Sequence, residues 1–182
     1  MLKVANYTSE AALAAAYRIR HKRLKDQIFA SESESDVRQG VLALYDLDLV
    51  GNLEKHRIDY VHPEIFIEFK FNVDFGNLQT RCKIIAQILH YIHQIPTKRG
   101  EYMLPESFAI IDKTYALFYD TIDFAKYIID AKYFDGIGSP SSRHPLLEDE
   151  LIKDIRVKAK PFHVLADYDL LWDEFEKRGA YG

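Results

Sequence analysis

The sequence predicts an α/β fold, a central mixed sheet with flanking helices, on three observations. Ile65, Ile67, Phe69 and Phe71 alternate with Phe66, Glu68 and Lys70, which is the period of a strand. Segments with apolar residues at helical spacing lie on both sides of that strand, as at Val37, Val41, Leu44 and Tyr45. Strand-like and helix-like segments then alternate along the chain, and helices flanking a sheet is their natural packing.

The elements follow in order. Thr8, Ser9 and Glu10 open a helix that reaches about Phe29, and its second half, Arg18 to Lys25, is strongly basic. Ser31 to Asp36 is a polar joint. The pattern Ser31-x-x-Glu34 within it reads as a capping box starting a second helix, which ends near Asp48 to Gly51. Lys55 to Phe71 reads as a strand pair with its turn at His62-Pro63-Glu64, because proline suits a turn and not a central ladder. A long helix runs from Leu78 to about Ile95. Its apolar face is Leu78, Ile85, Ile88, Leu89 and Ile92, and its polar face Gln79, Lys83, Gln87, His90 and Gln94. Pro96 to Pro105 is a loop. Ser107–Ile111 and Tyr115–Tyr119 are strands, a helix follows Asp120-Thr121 to about Phe134, and Gly136 to Ser142 is a flexible loop. A helix from about Leu146 to Lys158, a strand Phe162–Leu165 and a helix Asp169–Lys177 complete the order.

The bulk numbers bound the function. The 182 residues suit one domain, 1–182, with a core at about 31–134, a basic N-terminal helix at 8–29 and a C-terminal helical extension at 145–178. A net charge of −4 means that any nucleic-acid contact comes from a local basic patch. Twelve Tyr and eleven Phe supply much of the core. A single cysteine, Cys82, excludes an internal disulfide and a cysteine-based zinc site, and suits a reducing cytoplasm. The Ala-rich N-terminal stretch is too short for a signal peptide, and no apolar run is long enough to span a membrane. A glycine-rich phosphate loop and a Gly-x-Ser-x-Gly elbow are both absent from the sequence.

The chemistry gathers at the strand pair. With the turn centred on Pro63-Glu64, Asp59 lies opposite Glu68 and Arg57 opposite Lys70. A period of two puts all four on one face, with Ile58, Tyr60, Ile67 and Phe69 on the other. Two facing carboxylates repel, and a divalent cation between them removes the repulsion. A lysine beside such a cation orients an attacking water or offsets charge developing on a phosphate. The plain alternative is an edge hairpin whose Glu68–Lys70 pair is a solvated surface ion pair.

These residues resemble the PD-(D/E)xK nucleases, in which an acid on one strand is followed by acid-x-Lys on the next. Here those are Asp59 and Glu68-Phe69-Lys70, with eight residues between the acids. Ile58 stands where the family writes proline. Many members add a glutamate on a preceding helix, which Glu34 matches, although capping the helix is the plainer role for that residue. Gln87-x-x-x-Tyr91 is similar to a motif after the catalytic lysine in type I restriction subunits. The resemblance covers about residues 31–95 and is closest to nuclease modules of restriction enzymes, some fused to a DNA methyltransferase.

It implies a restriction-endonuclease-like fold and a cytoplasmic, metal-dependent endodeoxyribonuclease of restriction or defence, with catalytic residues Asp59, Glu68, Lys70, Glu34 and Gln87. Mg²⁺, with Mn²⁺ as substitute, would be held by Asp59, Glu68 and Glu34. DNA would lie along Arg18, Arg20, Lys22, Arg23, Lys25, Gln79 and Lys83. A methyltransferase or target-recognition partner, a larger parent protein and a homo-oligomer are compatible with it. The alternative is a nuclease-like fold that binds nucleic acid or assembles without cleaving.

Overall fold

In a computed structural model, the described residues are 7, 9–47, 64–95 and 104–182, together with the backbone at 52–53 and 60–61. Among the described residues, six strands pair in chain order: β1 Asn52–Leu53, β2 Tyr60–Val61, β3 Ile65–Phe69, β4 Ser107–Ile111, β5 Tyr115–Asp120 and β6 Phe162–His163. Neighbours are antiparallel except β3 and β4, which are parallel, so the sheet is mixed. The crossover between those two carries α3, Leu78–His93.

Helices cover both faces, which makes three layers. Ile65, Ile67 and Phe69 of β3, Ala109 and Ile111 of β4, and Ala116 and Phe118 of β5 pack on one side. That side is covered by α1 (Glu10–Phe29), α2 (Glu34–Leu44) and α6 (Tyr168–Lys177). Phe66, Phe108, Ile110, Leu117 and Tyr119 face the other way. They meet α3, α4 (Ala125–Ile128) and α5 (Pro145–Leu151), together with the 3₁₀ turns Thr121–Phe124 and Ile155–Lys158. The predicted α/β class and mixed sheet with flanking helices are what the chain adopts.

The expectation of one apolar and one polar face on β3 is corrected. Ile65, Phe66, Ile67 and Phe69 are all buried, and Phe66 shares its face with Glu68. A strand covered on both sides is apolar throughout, and polarity is confined to its C-terminal end.

Several boundaries also shift, for local reasons. The N-cap of α2 is Ser33, whose hydroxyl accepts from Asp36 N at 3.1 Å, while Asp36 accepts from Glu32 N at 3.0 Å. The N-cap is therefore displaced by two residues from the one expected at Ser31, which instead is buried and donates to Gln27 O. The helix expected from Thr121 to Phe134 is broken after Ile128, where Asp130 caps a new 3₁₀ turn at Ala131–Tyr133. That expected from Leu146 to Lys158 breaks after Leu151, where Asp154 does the same for Ile155–Lys158. In both places an aspartate offers the backbone a nearby acceptor that competes with continuing the helix.

Two contacts fix the α1/α2 layer. Gly40 lies where α2 crosses α1, and a Cβ there would stand 2.6 Å from Ile28 Cγ1. Ile28 is fully buried, so the backbones approach this closely because position 40 has no side chain. Tyr45, just past α2, is also fully buried and donates its hydroxyl to Val164 O at 2.5 Å. Its ring packs against Tyr168 and Phe175, and its carbonyl accepts from the Tyr181 hydroxyl at 2.8 Å. No helix among the described residues is long and apolar enough to cross a membrane.

Candidate active site

Three side chains predicted to act together do meet. Glu68 is the fourth residue of β3, Lys70 follows the strand by one residue, and Glu34 opens α2. Lys70 N donates to Ile111 O at 2.9 Å, which extends the β3–β4 ladder by one residue and fixes the lysine backbone at the sheet's end. Asn72 follows in a left-handed conformation (φ 57°), which asparagine tolerates well, and turns the chain out of the sheet. The first turn of α2 approaches the same end. Lys70 Nζ stands 3.6 Å from Glu68 Oε1 and 3.8 Å from Glu34 Oε1. The Lys70 and Glu68 side chains keep only 20% and 12% of their exposure, against 57% for Glu34, so the lysine joins an inner carboxylate to an outer one. Glu34 also places negative charge in the first turn of a helix, where the macrodipole favours it.

Asp59 lies outside the described residues. The neighbouring part of the hairpin is described: Tyr60 pairs with Ile67 and Val61 with Phe66. That is the register from which Asp59 was expected opposite Glu68. The carboxylates of Glu34 and Glu68 are hard oxygen donors suited to Mg²⁺. Among the described residues, no group of three or more His, Cys, Asp or Glu side chains is arranged to hold a metal ion.

The other predicted residues sit apart along α3 and α1. Gln79 and Lys83 are exposed on α3, and the Gln87 amide donates to Ser141 O at 3.4 Å, which ties it to the Gly136–Ser142 loop. On α1 the basic run divides. Arg20 reaches Ala43 O and Asp46, and Lys25 lies over the Tyr168 ring, so both help hold the helix to the body. Arg18, Lys22 and Arg23 are exposed, with Lys22 paired to Asp26 one turn on at 3.1 Å.

Two features escaped the sequence reading. Arg81, on α3, is 8% exposed and bonds three backbone carbonyls: Phe75 O at 2.5 Å, Val157 O at 3.2 Å and Ala159 O at 2.9 Å. His90, expected on the polar face of α3, is buried against His144. The helical spacing of Gln79, Lys83, Gln87 and Gln94 gave no sign that α5 would cover position 90. No family model, curated protein or solved structure matches the chain.

Proposed function

We propose that the corner formed by Glu34, Glu68 and Lys70 is part of a Mg²⁺-dependent site that hydrolyses DNA phosphodiester bonds on a restriction-endonuclease-like fold. The observation that carries this reading is the convergence of two carboxylates, from separate elements, on one largely buried lysine at the end of a central strand. The order in which they arise supports it: a helix bearing Glu34, a hairpin bearing Glu68 and Lys70, and then the long helix α3. In this proposal Asp59, expected opposite Glu68 from the sequence, is the third oxygen donor.

The carboxylates of Glu68, Glu34 and Asp59 would hold Mg²⁺, which would supply Lewis acidity toward a phosphate. Glu68 is the inner anchor, being the more buried carboxylate. Glu34, half-exposed on the first turn of a helix, is free to adjust its rotamer. Lys70 places its ammonium where charge grows on the phosphate, a position in which a fixed cation acts strongly because little water screens it. Exposed Arg18, Lys22 and Arg23 on α1 are proposed to follow the DNA backbone. A role in restriction, and a methyltransferase or target-recognition partner, belong to the same proposal.

The test is metal binding followed by catalysis. Calorimetric titration of the whole chain with Mn²⁺ and Mg²⁺ is expected to show a site of millimolar or better affinity, lost in Glu68→Gln. Plasmid nicking is expected to require the metal. A wild type that binds neither ion at millimolar concentration rules the catalytic reading out. For α1, the triple replacement of Arg18, Lys22 and Arg23 by alanine is expected to weaken DNA binding. It should also flatten the slope of log K against log salt by roughly one unit for each phosphate no longer neutralised. An unchanged slope removes α1 from the interface.

A second reading rests on the same ion pairs. Lys70 is paired with both carboxylates, so the protein itself offsets one of the two negative charges at the corner. A binding or assembly module that does not cleave would keep such a corner as a structural clasp. Absence of metal binding selects this reading.

A further inference from the structure

Away from that corner, α3 and α5 share a seam closed by two histidines. His90 Nδ1 and His144 Nε2 are 2.8 Å apart, with the rings nearly perpendicular at 86°. Only 3% and 1% of their surfaces are exposed, and Phe134 packs against both rings. The outer nitrogen of His90, Nε2, lies 3.3 Å from the Gln94 amide nitrogen. The ring of His144 has the Ser142 backbone beside it. Two proton arrangements leave both rings neutral, one the reverse of the other. In the first, Gln94 donates to His90 Nε2, His90 Nδ1–H donates to His144 Nε2, and the remaining proton of His144 sits on Nδ1.

An added proton changes that order, and on His90 it requires the Gln94 amide to turn its oxygen inward. On His90 it enters at Nε2, facing the amide donor. On His144 it enters at Nε2, facing the N–H of His90. Either way a positive charge appears in an apolar seam, where burial disfavours it. The charged and titratable neighbours do not reverse this balance. From α3, His93 adds repulsion when charged, and its Nδ1 is held by Ile128 O at 2.6 Å. From the lead into α5, Arg143 grips Glu148 through contacts of 3.0 and 2.6 Å. Glu148 does favour a charge on His144, but its carboxylate is engaged by that arginine and by His144 N at 2.7 Å. On balance, burial holds His90 down to about 4, helped by the nearby imidazoles, and holds His144 below its ordinary value.

We propose that the His90–His144 pair is an acid-released latch that holds α5 and the Gly136–Ser142 loop on α3 at neutral pH and frees them when protonated. The sign follows from the lowered pKa values. The closed seam has its full stability above the ordinary histidine pKa of about 6.5 and loses it as pH falls from there toward 4, because the open, hydrated rings take up protons first. Gln87, bonded to Ser141 O, lies along the same seam and would be released with it.

The chain carries its own reporter. Cys82, the single cysteine, is 1% exposed on α3 and lines a cleft with Pro145, Glu148 and Ile152 of the α5 side. Burial pushes its thiol up to about 11, so the closed state is unreactive. The experiment measures the reaction of Cys82 in the whole chain with 4,4′-dithiodipyridine, an acid-tolerant thiol probe. Rates are divided by those of the denatured chain at the same pH, with far-UV circular dichroism recorded alongside.

Protection is expected to fall by about tenfold or more between pH 7 and pH 5, the factor that one unit of pKa displacement produces. The dichroism should be unchanged. His90→Gln keeps an amide in the seam without a titrating group, and its protection should not depend on pH. His144→Asn serves the same purpose should His90→Gln not fold, and the wild-type profile decides if neither does. Constant wild-type protection, an equal fall in the folded variant, or exposure that merely tracks loss of dichroism overturns the latch.

Discussion

Lys70→Ala is expected to lower Mg²⁺-dependent DNA cleavage by at least about a hundredfold, the loss typical for removing one fixed charge or donor aimed at a transition state. The fold should persist. Lys70 lies one residue beyond β3, and its structural tie is its backbone N–H to Ile111 O, which alanine keeps. What alanine removes are ion pairs at 3.6 and 3.8 Å, too long for strong hydrogen bonds and open to some water. Because Glu68 keeps little exposure, their loss should cost about 1–3 kcal/mol, which a melting curve would show as a shift of up to about 10 °C. The variant also divides the two readings of the corner. In a metal site, removing the ammonium leaves Glu34 and Glu68 more available, so Mn²⁺ binding should survive or tighten while cleavage stops. In a structural clasp, the melting shift is the whole effect, and added metal changes nothing. Cleavage by Lys70→Ala at the wild-type rate would remove the lysine from the chemistry.

Arg81→Met is expected to be the most destabilising single change among the polar residues discussed, at about 3–5 kcal/mol, or roughly 10 °C in melting temperature. Methionine preserves much of the side-chain volume, so the loss isolates the guanidinium. Phe75 O and Ala159 O would lose their Arg81 donor, while Val157 O would retain the Tyr119 hydroxyl at 3.0 Å. The guanidinium is a clamp joining the start of α3, the loop before it and the turn at Ile155–Lys158. A buried cation is tolerable there because three oriented carbonyl dipoles replace its hydration. A melting temperature within about two degrees of wild type would show that water replaces the clamp without cost.

Legibility in the sequence follows the range of the interactions involved. Helix α1 was readable because Ser9 caps it locally, accepting from Ala12 N at 3.1 Å. The same holds for α3, capped by Asn77, and for β4 and β5, whose apolar runs flank a polar turn at Asp112 that accepts from Thr114 N and Tyr115 N. The meeting of Glu68 and Lys70 was readable from acid-x-Lys, a short-range pattern on one strand face, whereas Glu34 entered only through the family resemblance. What failed to show was non-local. Both faces of β3 are covered because α3 packs on one side and α2 with α6 on the other, and no residue within β3 reports that. His90 was expected on the polar face of α3 and nothing near Arg81 marked it as buried, yet segments more than fifty positions later close over both. The broken helices after Ile128 and Leu151 were local but ambiguous, because Asp130 and Asp154 are compatible with an exposed helix face as well as with a new cap.

The surroundings of Tyr45 have a consequence for the order in which the chain can assemble as it is synthesised. The layer containing α3 is complete once Ala159 has been made. The α1/α2 layer is not, because Tyr45 receives its hydroxyl partner at Val164, its stacking partners at Tyr168 and Phe175, and its carbonyl partner at Tyr181. These partners lie 119 to 136 residues downstream. Helices α1 and α2 are thus made before the other described helices and sealed after them. Throughout translation the apolar side of α2, with Val37, Val41 and Leu44, waits for α6, and that interval is when the nascent chain is most in need of a chaperone.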